Sequence, residues 1–137
     1  METREHIAKA VISINAPVEK VWDALINPAS IKKYMFNTDV ESDWQPGSPI
    51  TWKGEFNGKR FEDKGKILIN EPHQRLQYSH ASGSGGDDHT VTIQLTDNLE
   101  HTGVTLTQDK NADENAKAES EKNWNAMLGE MKKLLEN

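Results

Sequence analysis

From about Ala112 to the end of the chain the apolar residues recur with a helical period, and no earlier stretch sustains that pattern for so long. Ala116, Trp124, Met127, Leu128, Met131, Leu134 and Leu135 form one stripe, with Lys117, Glu119, Glu121, Lys122, Glu130, Lys132 and Lys133 largely off it. A helix with one apolar stripe must bury it against something. Most of the preceding chain reads as short runs that alternate apolar and polar residues, the pattern of half-buried strands. One long helix gripped by a curved sheet usually leaves a cavity between them, so the helix constrains both the fold and the kind of activity it can support.

The remaining elements follow from local pattern. Ala8, Ala10, Ile12 and Ile14 alternate with polar partners as a first strand. Pro17 suits the first position of a short helix, with Ala16 as its cap, and Val18, Val21, Trp22 and Leu25 form its apolar face. Asn27 and Pro28 stop that helix and start a second, with Asn27 as N-cap and Ile31, Tyr34 and Met35 inward. Trp44 to Gly47 reads as a turn, after which Ile50, Trp52, Gly54 and Phe56 share a strand face. Asn57 and Gly58 signal a tight hairpin into a strand from Arg60 to Ile69, where Phe61, Asp63, Gly65, Ile67 and Ile69 share a face. Strands around Leu76, Tyr78 and His80, around His89, Val91, Ile93 and Leu95, and around Val104, Leu106 and Gln108 follow. The short connections imply antiparallel neighbours. Asn111, with Glu114 three residues on, is the expected cap of the last helix.

Bulk properties exclude several classes of function. At 137 residues, 15.4 kDa, the chain reads as one domain with one core and room for a modest cavity. A formal charge of -6 and the absence of any Lys/Arg run disfavour nucleic-acid binding. Without cysteine there are no disulfides, thiolate nucleophiles or cysteine-held metals. No apolar run approaches a membrane span and residues 1–10 lack a signal-like apolar region, so a cytoplasmic protein is expected.

Ile12, Ile14, Ala16, Pro17, Val18, Val21, Trp22 and Leu25, the turn at Trp44, Pro46 and Gly47, the run through Gly65, Ile67, Ile69 and Pro72, and the helix from Trp124 to Leu135 together resemble a known pattern. The chain resembles the START-like, helix-grip superfamily, and within it the bacterial single-domain proteins related to activators of the ninety-kilodalton heat-shock chaperone's ATPase. Birch-pollen allergens, polyketide cyclases and lipid-transfer domains belong to the same superfamily. The resemblance implies an α+β fold in which a seven-stranded antiparallel sheet curls around the C-terminal helix, with two short helices after strand 1 plugging one end. It also implies an apolar pocket between helix and sheet, and binding of hydrophobic small molecules. A chaperone contact is a weaker implication, because the activators themselves use a further N-terminal domain for much of that contact.

On the assigned faces, Trp52, Phe56, Phe61, Tyr78, Val91, Leu106, Trp124, Met127, Leu128 and Met131 point into the space between sheet and helix, as pocket lining or as plain core. His80 and His89 flank the loop 81–88 and lie opposite each other if their strands pair. Such a pair serves as general base, as hydrogen-bonding group for a ligand, or as a half-exposed rim pair; two histidines alone make a poor metal site, and no third ligand is placed. Asp63 points inward by alternation, where it pairs with Arg60 or Arg75 or meets a pocket group, unless a bulge turns it out. Gln108 is a second inward polar group, and either would orient a ligand with one polar end. The segment Ser82 to Gly86 is not a phosphate loop: no helix follows it and Asp87 and Asp88 would repel phosphate. It reads as a mobile hairpin loop at the pocket mouth.

The expected function is non-catalytic binding of an apolar or amphipathic small molecule, lipid, polyketide-like or aromatic, by a monomer or weak dimer without metal or cofactor. Two alternatives stand beside it. A cyclase, hydrolase or dehydratase would need His80, His89 or Asp63 within reach of a bound substrate. A chaperone-activator-like interaction module would instead expose a large apolar patch and have no cavity.

Overall fold

The period-two run at the start of the chain forms an edge strand, β1 (His6–Ile14), which buries Ala8, Ala10 and Ile14 and half-buries Ile12 on one face. The computed structural model describes residues 6–35, 37–56, 58–80, 89–111 and 113–136, and only the backbone of His6, Phe56, Lys110 and Asn111. After β1 come the helices α1 (Val18–Ile26) and α2 (Pro28–Tyr34). Then follow β2 (Asp39–Glu41), β3 (Pro49–Phe56), β4 (Lys59–Glu71), β5 (Arg75–His80), β6 (His89–Asp97) and β7 (Thr102–Asn111), before the long helix α3 (Glu114–Glu136). The strands form one antiparallel sheet in the order β1-β7-β6-β5-β4-β3-β2, curved in the helix-grip manner. No helix among the described residues is long and apolar enough to cross a membrane.

Local signals set most of these boundaries, with instructive exceptions. Pro17 is the cap of α1 rather than its first residue: its backbone is extended (ψ 155°) and its carbonyl accepts from the N–H groups of Lys20 and Val21. Ala16, expected as the cap, instead gives its carbonyl to the hydroxyl of buried Thr102 at 2.8 Å, tying the start of β7 to the chain just before α1. Asn27 caps α2 as expected, its Oδ1 accepting from the Ala29 N–H at 3.0 Å. At α3 the cap falls on Asp113, whose Oδ1 accepts from the Ala116 N–H at 2.8 Å, and not on Asn111, which lies in β7. The β3–β4 hairpin forms where Asn57 and Gly58 signal it, with Phe56 opposite Lys59 and Gly58 at φ 77°; Asn57 itself lies outside the described residues. Strand β2 carries no readable period, because a three-residue strand with one buried residue, Val40, is too short to show one.

A bulge in β4 corrects the expected face of Ile69. Ile67 pairs with Tyr78, but Ile69 pairs with Gln77 and Asn70 with Leu76, so an extra residue at Leu68 flips the alternation. Ile67 and Leu76 are fully buried, Ile69 shares the outer face with Gln77, and Asn70 turns inward to donate to the Trp44 carbonyl at 2.6 Å.

The core lies between the sheet, the inner faces of α1 and α2, and the C-terminal half of α3. Val21, Leu25, Ile31, Leu76, Ile93, Val104, Leu106, Leu128 and Met131 are among its buried members. Full burial of a side chain such as Leu128 or Met131 contributes about 1.5–3 kcal/mol. Helix α3 packs mainly along β1, with α2 and β7 next. Leaning to that side, it leaves a gap over the β3–β4 hairpin.

Candidate functional site

Polar side chains from four adjacent strands form a diagonal row across the inner face of the sheet: Asp63 of β4, His80 of β5, His89 of β6 and Gln108 of β7. Register sets the diagonal, since His80 pairs with His89 whereas Gln108 pairs with Val91, two residues on from His89. Tyr78 and Val91, level with Gln108, and Leu106, one step deeper, are all buried, so the row runs along the edge of the packed core.

Each member is held by a specific contact. Asp63 Oδ2 and His80 Nε2 are 3.0 Å apart, with side chains 20% and 31% exposed. The partner of Asp63 is thus His80, not Arg60 or Arg75; Arg75 instead faces Glu71 at 3.5 Å. The His80 ring lies against Trp52, centroids 4.8 Å apart, and Trp52 in turn against Tyr78 at 5.1 Å. His89 Nδ1 lies 2.9 Å from the Asp109 carbonyl, and the Asp109 carboxylate accepts from the Thr90 N–H at 2.7 Å. From α3, Trp124 donates its indole N–H to Gln108 Oε1 at 2.6 Å. Close strand approach underlies the arrangement. A Cβ on Gly65 would collide with the Ser79 carbonyl oxygen, and one on Gly54 would meet the far end of the Phe61 ring at 2.7 Å. Only glycine lets β5 come near enough to bring His80 to Asp63, and lets Phe61 lie flat across the β3–β4 hairpin.

The gap between α3 and the hairpin contains two chambers that share a wall of Met35, Thr38, Phe61, Asp63, Gln108 and Trp124. The outer chamber, about 660 Å³, adds Ser120, Asn123 and Met127 from α3, and at its rim the exposed Glu55, Lys59 and Arg60. The inner chamber, about 300 Å³, adds Trp52, Tyr78, His80 and His89. Burial pushes the phenol of Tyr78 well above the ordinary tyrosine range, so it faces the chamber as an uncharged hydroxyl. Among the described residues, no three His, Asp or Glu side chains are grouped to hold a metal ion.

The chambers sort the residues singled out from sequence. Trp52, Phe61, Asp63, Tyr78, His80, His89, Gln108, Trp124 and Met127 line them. Val91, Leu106, Leu128 and Met131 do not: all are at most 1% exposed and sit within the core, because the tight packing of α3 against β1 and β7 fills the space they face. The Phe56 side chain and the loop 81–88 lie outside the described residues. Sequence reasoning did not place Met35, Glu55, Lys59 or Arg60 in the site, and it missed Thr38, Ser120 and Asn123 altogether. Thr38 follows α2 outside any periodic run, and the other two fall on the polar flank of α3, where no pattern separates cavity from solvent.

Comparison with known proteins agrees with this architecture. The model of the family described as activator of Hsp90 ATPase homolog 1-like protein matches residues 15–136. The solution structure of ChR145 from Cytophaga hutchinsonii is 52% identical with TM-score 0.85, covering 100% of this chain and 97% of that one. DynU16, from the dynemicin biosynthetic locus, is 20% identical with TM-score 0.83 over 96% of this chain and 48% of its own. CalU16 from Micromonospora echinospora is 20% identical with TM-score 0.71, covering 94% and 84% of the two chains. No curated protein matches the sequence. With the family model spanning nearly all of the chain and the helix-grip fold in place, the protein belongs to the activator of Hsp90 ATPase homolog 1-like family.

Proposed function

We propose that the two chambers bind an apolar or amphipathic small molecule, its apolar body against Phe61, Trp124, Met35 and Met127 and its polar end against the row formed by Asp63, His80, His89 and Gln108. The observation that carries this reading is the sorting of the cavity wall. Mostly apolar surface, with a few polar groups gathered along one wall, is how ligand sites combine affinity with orientation, and the volumes fall within the roughly 300–1,000 Å³ of such sites. The position of DynU16 in a biosynthetic locus makes polyketide-like aromatics a sensible chemical class to include. The interaction-module alternative is less well supported. The large exposed apolar residues among those described are Ile7, Val11, Leu68 and Leu99, spread over β1, the β4 bulge and the β6–β7 turn.

A thermal-shift screen of the protein against fatty acids, sterols, flavonoids and polyketide-like aromatics tests the proposal. A ligand at about a hundred times its Kd adds about 2.7 kcal/mol, several degrees of Tm. A reproducible shift confined to one class, weakened by Trp124→Ala, is the expected result. Flat melting curves for every class in a folded protein would overturn the reading.

A further inference from the structure

The hydrogen bonds behind the polar row decide what it presents to the chamber. A backbone carbonyl can only accept, so the 2.9 Å contact between His89 Nδ1 and the Asp109 carbonyl requires the proton on Nδ1. In a neutral imidazole the other nitrogen, Nε2, is then a lone-pair acceptor. Asp109 also fixes the ring's surroundings, because its carboxylate holds the Thr90 N–H at 2.7 Å and pins β6 to β7 at that point. His89 lines the inner chamber, and with Nδ1 tied to the strand behind it, Nε2 is the ring nitrogen left for a ligand there. Beside it, His80 Nε2 donates to the Asp63 carboxylate, whereas Gln108, whose Oε1 accepts from the Trp124 indole N–H, contributes amide N–H donors. A carboxylate at Asp63, on the same chamber wall as an accepting His89, makes the position in front of His89 hospitable to a donor and hostile to an anion.

Resting on the ligand-binding reading above, we infer that the polar end of the ligand is an uncharged hydroxyl of the phenol or enol type, donating its hydrogen bond to His89 Nε2. The aromatic part of the ligand lies among Trp52, Phe61 and Trp124, which supply flat apolar surface on the same chamber walls. A carboxylate head in front of His89 would meet an accepting nitrogen and share the chamber with the Asp63 carboxylate. The cationic side chains around the cavity, Lys59 and Arg60, are at the outer rim, so an acid would bind in the reverse orientation or not at all.

Titration calorimetry at mildly alkaline pH with naphthol, its methyl ether methoxynaphthalene, and naphthoate separates these cases. Naphthol is expected to bind roughly ten-fold more tightly than the ether, the net worth of one well-made hydrogen bond, with naphthoate weakest. His89→Phe keeps a ring and removes the acceptor, so it should bring the ratio of naphthol to ether affinity from about ten to about one. Should that variant misfold, nitrogen-15 spectra of the unaltered protein serve instead: the His89 Nε2 signal is expected to be that of an unprotonated nitrogen and to move with naphthol but not with the ether. Equal binding of naphthol and ether would overturn the hydroxyl inference and leave the ligand-binding reading standing. Tightest binding of naphthoate would likewise overturn it and move the polar end to the Lys59 and Arg60 rim. Failure of all three to bind would overturn the inference, and the screen above would then decide the wider reading.

Discussion

Trp124 and Leu128 are one helical turn apart on α3 yet do different work. Leu128 is fully buried among core side chains, whereas Trp124 is half-buried, borders both chambers and spends its indole N–H on Gln108. Truncating Leu128 leaves a void in packed surroundings, so Leu128→Ala should cost about 3–5 kcal/mol by chemical denaturation. Trp124→Ala opens space onto a chamber already present, and should cost about 1–2 kcal/mol, mostly lost contact and an orphaned Gln108. The order of effects is the reverse of what side-chain size suggests, and finding Trp124→Ala the more damaging would mean that the helix is rotated from the position described. The same contrast explains which site residues could be read from the chain. Alternation places Trp52, Asp63, Tyr78, His80, His89 and Gln108 on the inner face, but it equally places Val91 and Leu106 there. Facing inward is a local property; facing a void is not.

Among the contacts that a helix makes, that of α3 with β1 is the most extensive, and it does more than bury apolar surface. An edge strand carries unpaired backbone groups that invite pairing with another chain. Here α3 covers them: Glu121 accepts from the Lys9 N–H at 3.0 Å, Glu136 from the Asn15 N–H at 2.8 Å, and Lys132 donates to the Ser13 carbonyl at 2.7 Å. The Asn15 N–H and the Lys132 ammonium hold the Glu136 carboxyl below its ordinary 4.5. A carboxyl whose folded pKa is depressed contributes stability that is full above the unfolded value and lost as pH falls through the folded one. The contribution of Glu136 should therefore be complete at neutral pH and fade below about 4.5. Glu136→Gln should lower stability at neutral pH, narrow its gap from the unaltered protein in acid, and speed hydrogen exchange at the Asn15 amide. Unchanged exchange at that amide would show that the edge is protected without Glu136. The apolar stripe of α3 was legible from its period; this clamp was not, because it depends on polar residues meeting backbone groups more than a hundred positions away.

For the molecule as a whole, the cavity is a consequence of asymmetry. Helix α3 leans toward β1 and β7, and the sheet curves past it to the β3–β4 hairpin, so the far side stays unfilled. Filling it with an apolar ligand should give a negative heat-capacity change in calorimetry at several temperatures, the mark of apolar surface leaving water. A change near zero for a bound ligand would place it on the polar rim rather than inside. The type and order of most elements, the turns between them and the inward face of nearly every strand were determined by the sequence alone, because period, capping and turn chemistry act over a few residues. What only the tertiary structure decided was non-local: the β4 bulge that turns Asn70 in and Ile69 out, the pairing of Asp63 with His80 rather than with an arginine, and the division of inward residues between core and cavity. Each depends on where one element comes to rest against another, and that position is set by the sum of many weak packing contacts rather than by any local pattern.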